Sequence, residues 1–510
     1  MKVAIGQINP CIGDLEGNVE RCLAAVQTVL PTKPDLILFP ELAIPGCHPR
    51  DILFDTSFID AVSKATEDLA QQTSAGPPLL VGTLFPCNDR PPNHPGLYNA
   101  AVLLKEGSIH LVAAKQLLPL HDVFYEPRWF LPGPSLPPMT IAGTQVGVMM
   151  GQDLLDEGHS IHPSEALTRA GAELLVCLGA SPFQRDKMDH LLTLARRTDC
   201  PIFYVNLCGA NDELIYAGGS FALNSEGQFI VQLPAFQEDV RIIDLQRDPP
   251  IKREYLASEE VLYQALILGV RDFFEKNRLD QAFLGLSGGV DSAVVAVITT
   301  EALGPKRVTA IAIPSRYSDP KSTTYAKKLA HKLGINFEVV DLEGVHRATE
   351  ETLGDLLKRG TTGENVQPRL RTMILMSYVN HYGGALINTS NKTELSLGYS
   401  TLYGDMAGSL CPIADLTKPE VYKLAKWINR AEKIIPSAIL ERQPTAELKP
   451  GQFDPFDYPK IAPEIEELVR MNRSNFAIRT SEHKRWQMGV VLKVSEKAFG
   501  TGRMIPITRK

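Results

Sequence analysis

The run Ser287-Gly288-Gly289-Val290-Asp291-Ser292 constrains the fold of this chain more than any other segment. An apolar stretch precedes it (Ala282 to Leu286, AFLGL), and a stretch with helical spacing follows (Ala293 to Leu303, AVVAVITTEAL). Strand, glycine turn and helix start together cradle phosphate. Adjacent glycines let backbone N–H groups approach an anion closely. The uncapped N–H groups and positive dipole end of the next helix favour negative charge. The run lacks the lysine and the spacing of the GxxxxGK[ST] nucleotide loop, so it is a different device.

The surrounding pattern predicts a parallel sheet. After the glycine turn come a strand at Arg307 to Ile313, a helix at Pro320 to Leu333, a strand at Phe337 to Val340, and a strand at Ala385 to Asn388 that ends in Thr389-Ser390-Asn391. Strands alternating with helices of this length argue for α/β architecture with ligands beyond the strand carboxyl ends. The SGGVDS turn and the NTSNKTE segment (388–394) both lie there, so one pocket can hold both. The first half also alternates. A strand-like Lys2 to Ile8 leads to a helix-like Asn18 to Leu30, with further β-rich runs at Leu79 to Thr83, Ala100 to Leu104, Val146 to Met150, Leu174 to Leu178 and Ile202 to Asn206. Between the halves, Gln246 to Arg253 (QRDPPIKR) is polar and carries two prolines, as a linker does. The expected division is residues 1–245, a linker at 246–258, and 259–510.

Composition excludes several classes. A chain of 510 residues exceeds one ordinary core. A hydrophobic content of 44% with 22% charged residues is that of a globular protein, and a net charge of −7 gives no general pull toward nucleic acid. No run approaches the roughly 20 apolar residues of a membrane span. Met1 leads directly into a strand-like segment with no charged leader, and the eight cysteines show neither CxxC nor zinc spacing. A cytoplasmic protein with reduced thiols is expected.

SGGxDS resembles the pyrophosphate loop of the ATP pyrophosphatase family. The polar segment Asn388 to Tyr422 (NTSNKTELSLGYSTLYGDMAGSLCPIADLTKPEVY) narrows this to a resemblance to the NAD synthetases. The likeness continues through Glu364-Asn365-Val366-Gln367, Phe499-Gly500-Thr501-Gly502-Arg503 and Pro506-Ile507-Thr508, and covers nearly all of 258–510. It implies a doubly wound, adenine nucleotide α-hydrolase-like domain that amidates deamido-NAD. The nicotinate carboxylate attacks the α-phosphate of ATP, and ammonia displaces AMP from the acyl-adenylate. Positioning and charge neutralisation would dominate such chemistry. By resemblance, Gly285, Leu286, Ser287, Gly288, Gly289, Val290, Asp291, Ser292 and Thr389 hold ATP and its pyrophosphate. Asn365, Glu394 and Lys484 contact deamido-NAD, and Asp291 and Glu394 offer oxygen ligands to Mg²⁺. Each contact has a plainer reading: Asn365 as a helix cap, Glu394 as a helix N-terminal acid, Lys484 as surface. The resemblance also implies a homodimer or larger homo-oligomer.

The first half resembles the nitrilase-like amidase domain that precedes the synthetase in glutamine-dependent NAD synthetases, an α-β-β-α sandwich. The marks are Gly6 to Asn18 (GQINPCIGDLEGN), Phe39-Pro40-Glu41-Leu42, Lys115 with Leu118-Pro119, Val123 to Arg128 (VFYEPR), and Ala180-Ser181-Pro182-Phe183. That domain hydrolyses glutamine with a Glu–Lys–Cys triad, in which a carboxylate base activates a thiolate and lysine stabilises the oxyanion. Glu41 and Lys115 match two members, and Glu126 matches an additional family glutamate. The cysteine belongs in the pattern GVxxCED. This chain reads Gly147-Val148-Met149-Met150-Gly151-Gln152-Asp153, with Gly151 at the nucleophile position. His121 replaces a glutamine-contacting tyrosine and Tyr125 an aspartate, while Ser181 and Lys187 still match glutamine contacts.

Three readings follow from these residues. One is an NAD synthetase fed by ammonia, with a silent amidase kept as scaffold. Another is a glutamine-hydrolysing enzyme with a different nucleophile, Cys177 or Cys47. The third is a protein that senses nucleotide or glutamine without turnover, against which the intact SGGVDS, Thr389 and Glu394 argue.

Overall fold

Alternation of apolar side chains decides the layering of the first half. Within Lys2–Gln7, Val3 and Ile5 enter one apolar cluster and Ala4 another, as a strand buried on both faces requires. The computed structural model describes every residue except 88, 89, 186, 359, 501, 504 and 506–510, so Thr501 and Pro506-Ile507-Thr508 lie outside the described residues. The chain divides into two units, Met1–Leu256 and Ala257–Lys510.

The first unit holds two six-stranded sheets. One runs Asp239–Asp244, Lys2–Gln7, Leu36–Leu38, Leu79–Pro86, Leu97–Lys105, Ser108–Ala114. The other runs Phe229–Gln232, Phe221–Leu223, Ile202–Asn206, Leu174–Gly179, Thr144–Met150, Met139–Ile141. Val3, Ile5 and Leu80 of one share a core with Val148, Met150 and Val176 of the other. Helices Leu15–Val29 and Thr56–Gln72 cover the outer face of the first sheet through Val26 and Leu69. Pro163–Arg169 and Lys187–Ala195 cover the second through Leu167 and Leu191. The result is the α-β-β-α sandwich.

Two local expectations shift. The first helix starts at Leu15 rather than Asn18, because the Asp14 side chain caps it by accepting from Gly17 N at 3.3 Å. The expected linker is not free of the sheets: Ile251 N donates to Phe229 O at 2.7 Å, and Glu254 N donates to the Gln232 side chain at 3.0 Å.

In the second unit six parallel strands form one sheet: β1 (Ala282–Gly285), β2 (Val308–Ala312), β3 (Asn336–Val339), β4 (Ala385–Ile387), β5 (Leu410–Cys411) and β6 (Val490–Val491). Their spatial order is β3-β2-β1-β4-β5-β6. The order reverses between β1 and β4, where such sheets open a crevice for ligands. Leu284 pairs with Ile387, so the two carboxyl ends are level and the turns after them open at the same edge. Helix Thr362–Tyr382 packs on the sheet through Leu375, against Phe283 and Leu386. Helix Val290–Leu303, apolar around most of its circumference, is buried almost throughout. Among the described residues, no helix is long and apolar enough to cross a membrane.

Candidate active sites

At the β1/β4 crevice lies a cavity of about 310 Å³, within the size range of small-molecule sites. Gly285, Leu286, Ser287, Gly289, Val290, Asp291 and Ser292 line it from one side, and Thr389 and Glu394 from the other. Gly288 does not line it but shapes the turn. Its φ is +80°, and a Cβ there would stand 2.4 Å from Ser322 O. Ser287 Oγ braces the turn, 3.1 Å from Ser292 Oγ and accepting from Gly289 N at 3.3 Å. Helix Val290–Leu303 has Gly289 as its N-cap and no side-chain cap, leaving its first N–H groups for an anion.

Asn391 ties the two turns together. Its Nδ2 donates to Asp291 Oδ1 at 3.0 Å, and its Oδ1 accepts from Glu394 N at 3.1 Å. Glu394 does sit in the first turn of a short helix, Lys392–Leu397, but its carboxylate joins a network instead of serving only as a helix-end charge. Lys418 Nζ lies 2.5 Å from Asp291 Oδ2 and 3.0 Å from Glu394 Oε1. Burial pushes the Glu394 carboxyl up to about 7, with Lys418 opposing and Asp291 reinforcing. Burial works against the Lys418 charge, but the two carboxylates outweigh it and hold the ammonium firmly protonated.

Sequence reasoning missed Lys418, and Arg371 and Arg442 on the same cavity wall. Lys418 opens helix Lys418–Ile428 behind a Thr417/Glu420 capping box, so its local pattern reads as an ordinary helix start. Its position in ADLTKPEV, shortly after the NTSNKTE segment, was the available signal.

Asn365 and Lys484 do not line the cavity. Both hold the loop that does. Asn365 Oδ1 accepts from Thr401 Oγ1 at 2.9 Å, and Lys484 Nζ donates to Gly398 O and Ser400 O at 2.8 and 2.6 Å. Thr401 N in turn donates at 2.7 Å to Asp405, a cavity residue. Asn365 is thus no simple cap, and Lys484 is not free surface.

The first unit gathers its own charged cluster. Lys115 Nζ bridges Glu41 Oε1 at 2.8 Å and Glu126 Oε1 at 2.7 Å, and all three side chains are at most 5% exposed. Asn99 Nδ2 and Ala180 N donate to the two Glu41 oxygens, at 2.6 and 3.1 Å. Burial opposes the Lys115 charge, yet the glutamates prevail and its pKa rises above the ordinary lysine value. His48 Nε2 lies 3.6 Å from Glu126 Oε1, and burial first, then Lys115, lowers its pKa to about 3, so it is neutral. Asp153 accepts from Gln116 N and Leu117 N at 2.9 Å, which fixes the 151–154 turn to the Lys115 segment.

Gly151 faces this cluster. A Cβ built on it would stand only 2.8 Å from Glu41 Oε2, so any side chain at this position lies directly against that carboxylate, which would have to give way slightly. His121, Ser181, Lys187 and Gln152 line the same small cavity, and exposed Tyr125 does not. Neither Cys177 nor Cys47 lines it. Cys177 belongs to the apolar cluster under the outer helices, and Cys47 accepts from Tyr216 OH at 3.3 Å. Burial pushes both thiols well above their ordinary pKa, so neither is a ready thiolate.

Residues 262–498 match the NAD synthase family and residues 2–249 the carbon-nitrogen hydrolase family. The chain is 36% identical to the glutamine-dependent NAD(+) synthetase of Synechocystis sp., over 99% of this chain and 98% of that one. It is 35% identical to the enzyme of the same name from Rhodobacter capsulatus, over 100% and 98%. The structure of glutamine-dependent NAD+ synthetase from Acinetobacter baumannii, in complex with ADP, superposes with a TM-score of 0.80 at 28% identity, covering 99% of this chain and 98% of that one. Matched from end to end through both units, the chain belongs to the glutamine-dependent NAD synthetase family and is a ligase that converts deamido-NAD to NAD with ATP as co-substrate.

Proposed function

We propose that this NAD synthetase takes its nitrogen from free ammonia, its amidase unit being silent toward glutamine. The observation that carries the reading is Gly151 beside Glu41 Oε2: the base and the lysine remain, and no side chain stands between them and a substrate. Glycine cannot attack an amide, and loss of a nucleophile from a comparable triad costs on the order of 10⁶ in turnover. The buried positions of Cys177 and Cys47 supply no substitute.

In the synthetase cavity the deamido-NAD carboxylate attacks the α-phosphorus, and the bond to pyrophosphate breaks. Ammonia then attacks the acyl carbon, and AMP leaves. Ser287, Gly288, Gly289 and Ser292, with the uncapped helix start, hold the departing pyrophosphate. Thr389 contacts ATP across the crevice. Lys418 neutralises charge on the phosphates and sets the spacing of Asp291 and Glu394. These two carboxylates suit Mg²⁺, which is commonly bound by one or two carboxylates plus phosphate oxygens. Bound there, the ion would neutralise developing phosphate charge. Asn365 and Lys484 position the 398–405 loop against deamido-NAD.

The test is NAD formation from deamido-NAD and Mg-ATP, with ammonium and glutamine supplied in separate reactions. Ammonium alone should sustain turnover. Comparable rates with glutamine would overturn the reading.

A further inference from the structure

We propose that the space opposite Gly151 in the first unit is a binding site for ammonium, held by the carboxylates of Glu41 and Glu126. The inference rests on the proposed function only in taking the amidase to be silent.

Three observations converge on this ligand. The first is size. The cavity lined by Gly151, Glu41, Glu126 and His48 measures about 30 Å³, enough for one water-sized molecule. Gly151 forms part of its wall, and a Cβ there would press on Glu41 Oε2 at 2.8 Å, so Gly151→Ala crowds the carboxylate that faces this space.

The second is charge. The buried end of the pocket carries two carboxylates on a single ammonium, Lys115, and His48 adds none because it is neutral. Lys187 also lines the pocket, from its half-buried rim, so the excess negative charge lies at the buried end. A buried charge left unbalanced is costly, and a second small cation balances it.

The third is hydrogen bonding. Glu126 Oε2 and His48 Nδ1 are buried without a partner among the described residues, and both side chains line the cavity, 2% and 8% exposed. Buried polar atoms are nearly always satisfied, so such orphans point to a missing group. Ammonium offers four N–H donors and a positive charge in a water-sized volume. It would meet Glu126 as the Lys115 ammonium already does from the other carboxylate oxygen.

The experiment is thermal unfolding of the full chain at fixed ionic strength, with ammonium chloride replacing sodium chloride, on the unaltered protein and on Gly151→Ala. Ammonium should raise the midpoint of the unaltered protein by about 2 °C, and the methyl group of Gly151→Ala should abolish the rise. A second variant, Glu126→Gln, keeps the shape and removes the charge, and should also lose the rise. Both variants leave the synthetase unit intact, which separates this site from ammonia binding there. An equal rise in both variants, or none in the unaltered protein, overturns the proposal. So does an equal rise with potassium chloride, since potassium is of similar size but donates no hydrogen bond. NAD formation on the same preparation keeps the two readings apart. Turnover driven by glutamine sinks the silent amidase, and ammonium-driven turnover without a thermal rise sinks the cation site alone.

Discussion

Asp291 and Lys418 meet across 127 residues of chain, Oδ2 to Nζ at 2.5 Å. Lys418 is buried and also holds Glu394, so two carboxylates depend on it. Replacing Lys418 by Met leaves two half-buried carboxylates without their cation, Asp291 keeping only the Asn391 hydrogen bond. NAD formation should fall at least a hundredfold, in kcat more than in KM, and thermal unfolding should show a loss of about 3–5 kcal/mol.

The raised Glu394 pKa gives a pH dependence with a definite sign. Its folded value, about 7, lies above its ordinary 4.5, so below pH 7 the folded chain keeps the proton. Ionisation becomes a cost to folding that grows from pH 4.5 to 7 and stays constant above. A protonated carboxyl is a poor magnesium ligand. Apparent magnesium affinity, read from NAD formation, should weaken by about tenfold per pH unit below 7. A flat profile from pH 6 to 8 would exclude Glu394 as a ligand.

Gly288→Ala places a methyl group against the Ser322 carbonyl in a backbone region L-residues avoid. The turn must shift, at a cost of about 1–3 kcal/mol. The KM for ATP should rise about tenfold or more while the first unit's unfolding is unchanged.

Lys115→Met tests whether the amidase cluster persists for structural reasons. Removing the bridge strands Glu41 and Glu126 and should cost about 3–5 kcal/mol, with ammonium-driven NAD formation retained below the unfolding temperature. The lysine's raised pKa means this stabilisation is complete below its ordinary value and lost only at more alkaline pH. Unchanged stability would show that the three residues are dispensable.

Gly151→Cys puts a thiol beside the Glu41 carboxylate that Lys115 holds. The new thiol should become alkylated by iodoacetamide in the folded chain, where Cys47 and Cys177 stay protected. The variant should also release ammonia from glutamine at a measurable rate. An inert thiol at this position would mean that His121 and Gln152 have closed the pocket to amide chemistry.

Much of this was legible where local pattern and tertiary role coincide. The strand Ile202–Asn206 and the helix Pro320–Leu333 stand where periodicity places them, the latter with Asp319 as N-cap and Gly334 beyond its end. The glycine turn and the NTSNKTE segment do share a cavity. Lys418 was not legible, because a lysine at a capped helix start looks like surface until the fold carries it to Asp291. Asn365 and Lys484 were associated with the ligand, but they stand behind the loop rather than on the cavity wall, a distinction only the packing draws. Gly151 was conspicuous as a missing side chain, whereas the orphaned Glu126 oxygen beside it depends on burial.

The strand order has a consequence for how the second unit assembles. β1 and β4 are neighbours in space, yet β2, β3 and their helices lie between them in sequence. A chain emerging from the ribosome completes the glycine turn about a hundred residues before Thr389 and Glu394 exist, and long-range pairing of this kind is slow. No partly made synthetase unit can therefore present the full nucleotide crevice, and acquisition of nucleotide binding during synthesis should mark the moment the two halves of the sheet join.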